Sequence, residues 1–289
     1  MKQIAMIATF VLGGALCAAE KHPSQKAAHP CVSFESSYLG EGEVSEGEGS
    51  VRVYKNRLQL DQDHFALGYS HWKFDWENLA LLPFGDGRHT PIAEIHALQA
   101  TAHQRKKIDE RWSYLASFSL KSTFEKQTDD SFGFHLMGLG SYRLSDEHSF
   151  QFGGFTSYHP TKSLILPTIS YSYRERSAEG WQVILGFPRT HIGYRIDEKR
   201  LVRLGVMVSQ SLVRLSDESV IERGGYVEAK DYLSNLGITY ELTPSLSLSA
   251  DLLYTLKRDF TIFDADANEV QEHTIGNALG ANVRVVYRF

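Results

Sequence analysis

Apolar and polar residues alternate along most of this chain with a period of two. In 246–263, Leu246, Leu248, Ala250, Leu252, Tyr254, Leu256, Phe260 and Ile262 take the even positions. Ser247, Ser249, Asp251, Thr255, Lys257, Asp259 and Thr261 take the odd ones. Successive side chains of a strand point to opposite faces, so the segment predicts one greasy face and one wet face. Trp112, Tyr114, Ala116, Phe118, Leu120 and Phe124 oppose Ser113, Ser117, Ser119, Lys121, Thr123 and Glu125 in the same way. Strand-like segments separated by turn signals fall at 50–60, 64–76, 91–106, 111–125, 131–144, 149–158 and 165–175. They continue at 181–187, 189–196, 201–214, 226–242, 246–263 and 275–289. A weaker first strand covers 32–39. Outside the first nineteen residues no segment has a helical period.

Segment length separates a soluble sandwich from a membrane barrel. Strands of soluble sheets usually run about five or six residues. Several segments here run 14–18 residues, which suits tilted strands that cross a bilayer and extend past it. The connections give an independent reading, because membrane barrels have short periplasmic turns and longer outside loops. Counting back from the C-terminus, 264–274, 216–225 and 77–90 are long, while 243–245, 197–200 and 107–110 are short. The alternation holds throughout if 186–189 is an outer turn between two short strands. That split, with 32–39 counted, gives 14 strands; merging 181–196 around Pro188 and omitting the first gives 12. Proline removes a ladder donor, which favours the split. The expected fold is all-β, a closed antiparallel transmembrane β-barrel of 12–14 strands over 32–289. Closure pairs every strand edge, which the bilayer requires of a sheet that spans it.

The ends of the chain point to a compartment. Lys2 and the apolar run 4–16 read as a signal peptide, too short to span a bilayer as a helix. Cleavage is expected after Ala19, which leaves 20–31 as a periplasmic lead-in. Cys31 is then the only cysteine, with no intramolecular disulfide or cysteine metal site. Lipidation at Cys17 is the alternative, although Gly14-Ala15-Leu16 fits that box poorly. At the other end, Leu279, Ala281, Val283, Val285, Tyr287 and Phe289 alternate with Gly280, Asn282, Arg284 and Arg288. A last strand closed by phenylalanine resembles the terminal strand of bacterial outer-membrane β-barrels. The resemblance implies a Gram-negative outer membrane and surrounding outer-membrane lipids. It also implies that Tyr287 and Phe289 belong to a signal read by the barrel-assembly machinery. Leu166-Pro167 before Tyr171 and Tyr173, then Gly186-Phe187-Pro188 and Tyr194, resemble a family of outer-membrane barrels known only as a domain of unknown function. That likeness implies fold and compartment and supplies no catalytic residues.

Composition narrows the classes. A mean hydropathy of −0.28 excludes a polytopic helical membrane protein and leaves a barrel open. The net charge is −5, with no basic cluster of the kind nucleic acid needs. No cofactor or metal is expected. The stretch 40–49 carries four glutamates and four glycines but lacks the fixed ligand offsets of a calcium loop, so a solvated loop is expected. Ser70-His71, His135, His148, His159 and His191 are the candidates for a rim-site enzyme acting on lipid or peptide. His96 and His103 fall on opposite faces of one strand, which argues against a shared metal. No Gly-x-Ser-x-Gly motif or zinc spacing appears.

The wet face carries more information. Lys121, Glu125, His135 and Arg143 are expected to line the lumen. So are Asp231, Asn235, Glu241, Asp251, Lys257 and Asp259, and then Asn282, Arg284 and Arg288. With Pro244 as the centre of a turn, Asp231 falls opposite Lys257. These charges are either a structural network or the selectivity lining of a narrow pore for small polar solutes. The loop 78–88 is apolar for an outside loop, and it is expected either to enter the mouth as a constriction or else to pack on the rim or form part of a longer strand. A pore is the leading expectation and no enzymatic activity is assigned. A rim-site enzyme and a closed structural or adhesive barrel are the alternatives.

Overall fold

The computed structural model describes residues 30–187 and 189–289. The expected signal peptide, nearly all of the lead-in, Cys17 and Pro188 lie outside the described residues. The chain forms β1 (Cys31–Glu43), β2 (Ser50–Gln62), β3 (Phe65–Glu77), β4 (Glu94–Lys107) and β5 (Trp112–Phe124). It continues as β6 (Phe132–Arg143), β7 (His148–His159), β8 (Lys162–Arg174), β9 (Gly180–Phe187) and β10 (Arg189–Arg195). Then come β11 (Arg200–Arg214), β12 (Tyr226–Thr243), β13 (Leu246–Phe263), β14 (Glu269–Ile275) and β15 (Leu279–Arg288). A single 3₁₀ turn covers Leu79–Leu81.

Each strand from β1 to β13 pairs antiparallel with the next, and β15 closes the ring by pairing with both β13 and β1. The seam sets Cys31 opposite Arg288 and buries the Cys31 side chain. Strand β14 pairs with the far end of β13 and otherwise makes a single bridge, Ile275 to Val44, so it stands outside the closed wall, which has fourteen strands among the described residues. The stretch 264–274, expected as loop, therefore holds a strand. Strands β9 and β10 pair antiparallel, with Ile184 opposite His191, which realises the split. Strand β1 starts at Cys31, inside the expected lead-in, and runs on to Glu43. Its Glu41 meets Arg52 at 2.9 Å, so part of the expected acidic loop is ion-paired strand.

Alternation sorts the two faces. Phe118 and Leu120 are exposed on the outside, while Ser117 and Ser119, which alternate with them, are buried. Trp112, Trp181, Tyr194, Tyr240 and Tyr287 ring the end that carries both termini, here the turn end. Tyr38, Tyr54, Tyr158 and Tyr254 lie nearer the opposite, loop end. Aromatic side chains suit such interfaces because one end of each is apolar and the other polar.

The wall is uneven in height. Strands β12 and β13 have 18 residues each, whereas β9 and β10 have 8 and 7. Above the short hairpin, the β11–β12 pair folds across the mouth to the far wall. Arg214 bridges to Phe124, and the Glu125 N–H donates to the Arg214 carbonyl at 3.0 Å. The Glu125 carboxylate accepts from the Ser216 N–H at 2.8 Å, Lys126 meets Glu218 at 3.1 Å, and Tyr226 packs edge-on against His159.

An apolar cluster fills the loop end behind this crossing. It joins Val51, Trp72, Trp76, Ile95, Val213, Val227, Phe260 and Ile262 from the wall to Phe84 and Ile92 from the 78–93 connection. Phe84 stacks on Phe260 at 5.3 Å and meets Trp76 edge-on at 5.6 Å. The Trp76 indole donates to the Ile92 carbonyl at 2.8 Å. Of the two expectations for this apolar loop, entry into the mouth is the one the fold adopts.

Candidate functional site, the lumen

Beneath the cluster the inner face is polar, and the cavities follow it. A vestibule of about 2900 Å³ opens at the turn end and is walled by β4 to β12. A chamber of about 2420 Å³ lies under the apolar cluster. Arg189, His191 and Arg203 line both, so the two spaces meet at a cationic neck. A third, smaller cavity sits between β5–β8 and the infolded β11–β12 pair, and shares Lys121 with the chamber.

The chamber is dominated by cations. Lys55, Arg57, Lys121, Arg189, Arg203, Arg258 and Arg284 border it, against Glu35, Asp231, Asp251 and Asp259. The seven-to-four ratio reverses the sign of the whole chain, which is acidic at −5. Asp251 is the hub. It meets Arg203 at 3.2 Å and accepts from Asn235 at 3.1 Å and Asn282 at 3.3 Å. Gly237, directly opposite on β12, leaves room for that carboxylate; a Cβ there would collide with it. Lys55 lies over the Trp72 ring at 4.3 Å, at the boundary between the wet chamber and the dry cluster.

The expected lumen residues separate by place. Asp231, Asn235, Asp251, Asn282 and Arg284 border the chamber, Arg143 the vestibule, and His135 the third cavity. Arg288 pairs with Glu241 at 3.2 Å near the seam. Glu125 lies past the end of β5 and serves as an anchor for the crossing hairpin. Burial there pushes its carboxyl above the usual carboxylate range. Tyr287 and Phe289 are exposed on the outer surface, ring against ring at 5.1 Å.

Lys257 is a correction. Between Tyr232/Lys257 and Leu233/Thr255 the ladder slips by one residue, so Leu256 bulges and both Leu256 and Lys257 face outward. Asp231 consequently pairs with Arg258, at 3.3 Å, and not with Lys257. Lys257 itself is exposed and meets Asp259 at 2.8 Å. A bulge reverses the parity of every position beyond it.

The histidine candidates do not converge. Ser70 borders the chamber while the neighbouring His71 faces outward. His148 meets the Tyr171 hydroxyl, His159 the Thr161 hydroxyl, and His191 receives a bond from Arg189. The register does bring His71 directly opposite His96, with Glu94 beside them, and their ligand atoms lie within 4.8 Å of one another. Pairing His96 with His103 along one strand missed this grouping, which is made across strands.

No family model matches the chain, and no curated protein matches it. The Leu-Pro, Gly-Phe-Pro and tyrosine resemblance therefore gains no support from these searches. Solved structures do match. The COG4313 outer membrane channel from Pseudomonas putida F1 is 10% identical, with a TM-score of 0.46 over 93% of this chain and 100% of that one. The Pseudomonas putida toluene transporter TodX is 11% identical, with a TM-score of 0.38 over 96% and 94%. The KdgM porin, in complex with disordered oligogalacturonate, is 11% identical, with a TM-score of 0.38 over 89% and 99%.

Proposed function

We propose that the chain is a non-enzymatic outer-membrane channel for small anionic solutes, with the turn end in the periplasm and the loop end outside. The observation that carries this reading is the excess of fixed cations over carboxylates around the vestibule and the chamber, with Arg189 and Arg203 lining both. Rings of fixed charge select ions of opposite sign, and low-dielectric walls strengthen that effect. Tyr287 and Phe289, at the end of the closing strand, are on this reading the residues offered to the barrel-assembly machinery.

The test is the reversal potential of refolded protein in planar bilayers under a potassium chloride gradient. Anion-selective unit conductance is expected. Arg57→Glu, in the chamber wall, should move the reversal potential toward the cation side. Cation selectivity in the unsubstituted protein overturns the assignment.

The apolar cluster at the loop end favours a second reading, a closed structural barrel. Silence in a sample whose folding is established by heat-modifiable gel mobility would select it.

A further inference from the structure

The short β9–β10 hairpin leaves two strand edges without neighbours. Strand β8 pairs with β9 only from Ile169 to Arg174, and β11 pairs with β10 only from Leu201 to Met207. Beyond the hairpin, 162–168 of β8 keep partners on β7 alone. Residues 208–214 of β11 keep partners on β12, apart from the single bridge at Arg214. Each edge is seven residues long, roughly 20 Å of strand at about 3.3 Å per residue. No pairing among the described residues joins β8 to β11, because β11 has bent inward to β5.

The gap opens in the apolar belt. Ile165, on the β8 lip, is 81% exposed, and Ile169 and Pro167 below it also face outward. Ser163 stands opposite Tyr158, one of the aromatic residues nearer the loop end. Open sheet edges are not tolerated in hydrocarbon unless they border a water-filled space, since each unmet N–H or C=O costs several kcal/mol. Such a space is present. The third cavity lies directly behind the gap, lined by Lys162 and Leu164 of one lip and Gln210 and Leu212 of the other. Its inner wall presents Lys121 and His159, and the buried Nε2 of His159 has no hydrogen-bond partner among the described residues. Glu228, 3.8 Å from Lys162, is the one carboxylate lining it among the described residues.

We infer that the gap between β8 and β11 is a lateral window between the lumen and the outer leaflet, and that it takes a single-chain amphiphile with an anionic head. The head sits in the cavity near Lys121 and Lys162. The chain lies between the Leu164 and Leu212 lips and enters the leaflet past Ile165. Water or the head group satisfies the two open edges. This rests on the channel reading but has its own failure mode.

The test uses the full mature chain with Cys31→Ser, reconstituted in vesicles. Bimane is attached at Leu164→Cys, or at Leu248→Cys on the outer surface far from the gap. The probe is stearate carrying a nitroxide near its methyl end. Saturable quenching at position 164 is expected, displaced by unlabelled oleate, with quenching at 248 rising only in proportion to the probe in the membrane. Lys162→Gln should raise the half-saturating concentration several-fold. Proportional, non-saturating quenching at 164 overturns the window. Equal binding of the stearate methyl ester overturns the anionic head. Ion conductance recorded on the same protein separates failure of the window from failure of the channel.

Discussion

Along β2, β3 and β13 the inner face begins polar at the turn end and finishes apolar at the loop end. Strand β2 runs Gln59, Arg57, Lys55, then Val53 and Val51. Strand β3 runs Gly68 and Ser70, then Trp72, Phe74 and Trp76. Strand β13 runs Ser247, Ser249 and Asp251, then, past Arg258, Phe260 and Ile262. The outer face does not register this change. One barrel therefore contains two interiors, a wet one that can hold ions and a dry one that excludes them. The membrane dictates only the outer pattern, so the inner pattern is free to record what the lumen does.

Removing the dry half should have the largest effect. Deleting 79–87 takes away Phe84, which packs between Phe260 and Trp76. A several-fold rise in single-channel conductance is expected. Unchanged conductance would mean that the cluster is not the stopper. Truncating a buried aromatic costs about 3–5 kcal/mol, so Phe84→Ala should also lower the midpoint of the heat-modifiable gel shift.

The wet half makes a sharper contrast at one pair of neighbours. Arg258 is buried and faces Asp231, whereas the Lys257 side chain is 57% exposed. Arg258→Ala leaves the half-buried Asp231 carboxylate without its partner and should destabilise by about 1–3 kcal/mol. Lys257→Ala removes an exposed pair worth about 0.2–1 kcal/mol. Urea titrations of the two variants in detergent would check this; equal losses would place the bulge elsewhere than Leu256.

Gly237→Ala should have an intermediate effect. The added methyl displaces Asp251 from its hub, and overpacking of this kind costs about 1–3 kcal/mol. A shift in selectivity should accompany the loss of stability, because Asp251 holds Arg203 at the neck.

The smallest effect belongs to the exposed base of the loop. The Asp86 carboxyl is held well below the usual range by the backbone N–H of His89, the His89 ring and the backbone N–H of Arg88. A depressed folded-state pKa contributes stability that is fully present above the unfolded value, near 4, and is lost as pH falls through the folded value. Proteolysis at 78–93 should be flat from pH 7 to about 5 and rise only in stronger acid. Asp86→Asn should show the raised rate already at neutral pH.

Much of the fold was legible in the sequence because membrane strands must alternate. Trp112 to Thr123 reads correctly from periodicity alone, and the division of 181–195 into two short strands was expected from the sequence. Illegible parts depend on contacts distant in the chain. Nothing in Leu256-Lys257 announces an extra residue, since both faces of that strand accept polar groups. Periodicity in 200–214 specifies a strand but not that its end crosses to Phe124. The charged neck was not read from the sequence: Arg189 and Arg203 lie where the short β9–β10 hairpin adjoins β11, and spacing does not reveal strand height.

The seam between β1 and β15 carries a kinetic consequence. Cys31 meets Arg288 only after nearly the whole chain has been made, so ring closure is the most non-local event in folding. Doubling a loop adds only about 0.6 kcal/mol of closure entropy, but topologies dominated by distant pairings fold slowly. Until the last strand docks, the nascent sheet has two adhesive rims that can capture other chains. The thiol at this seam is a built-in clock. Its protection from a maleimide reagent would time the moment at which the ring becomes continuous.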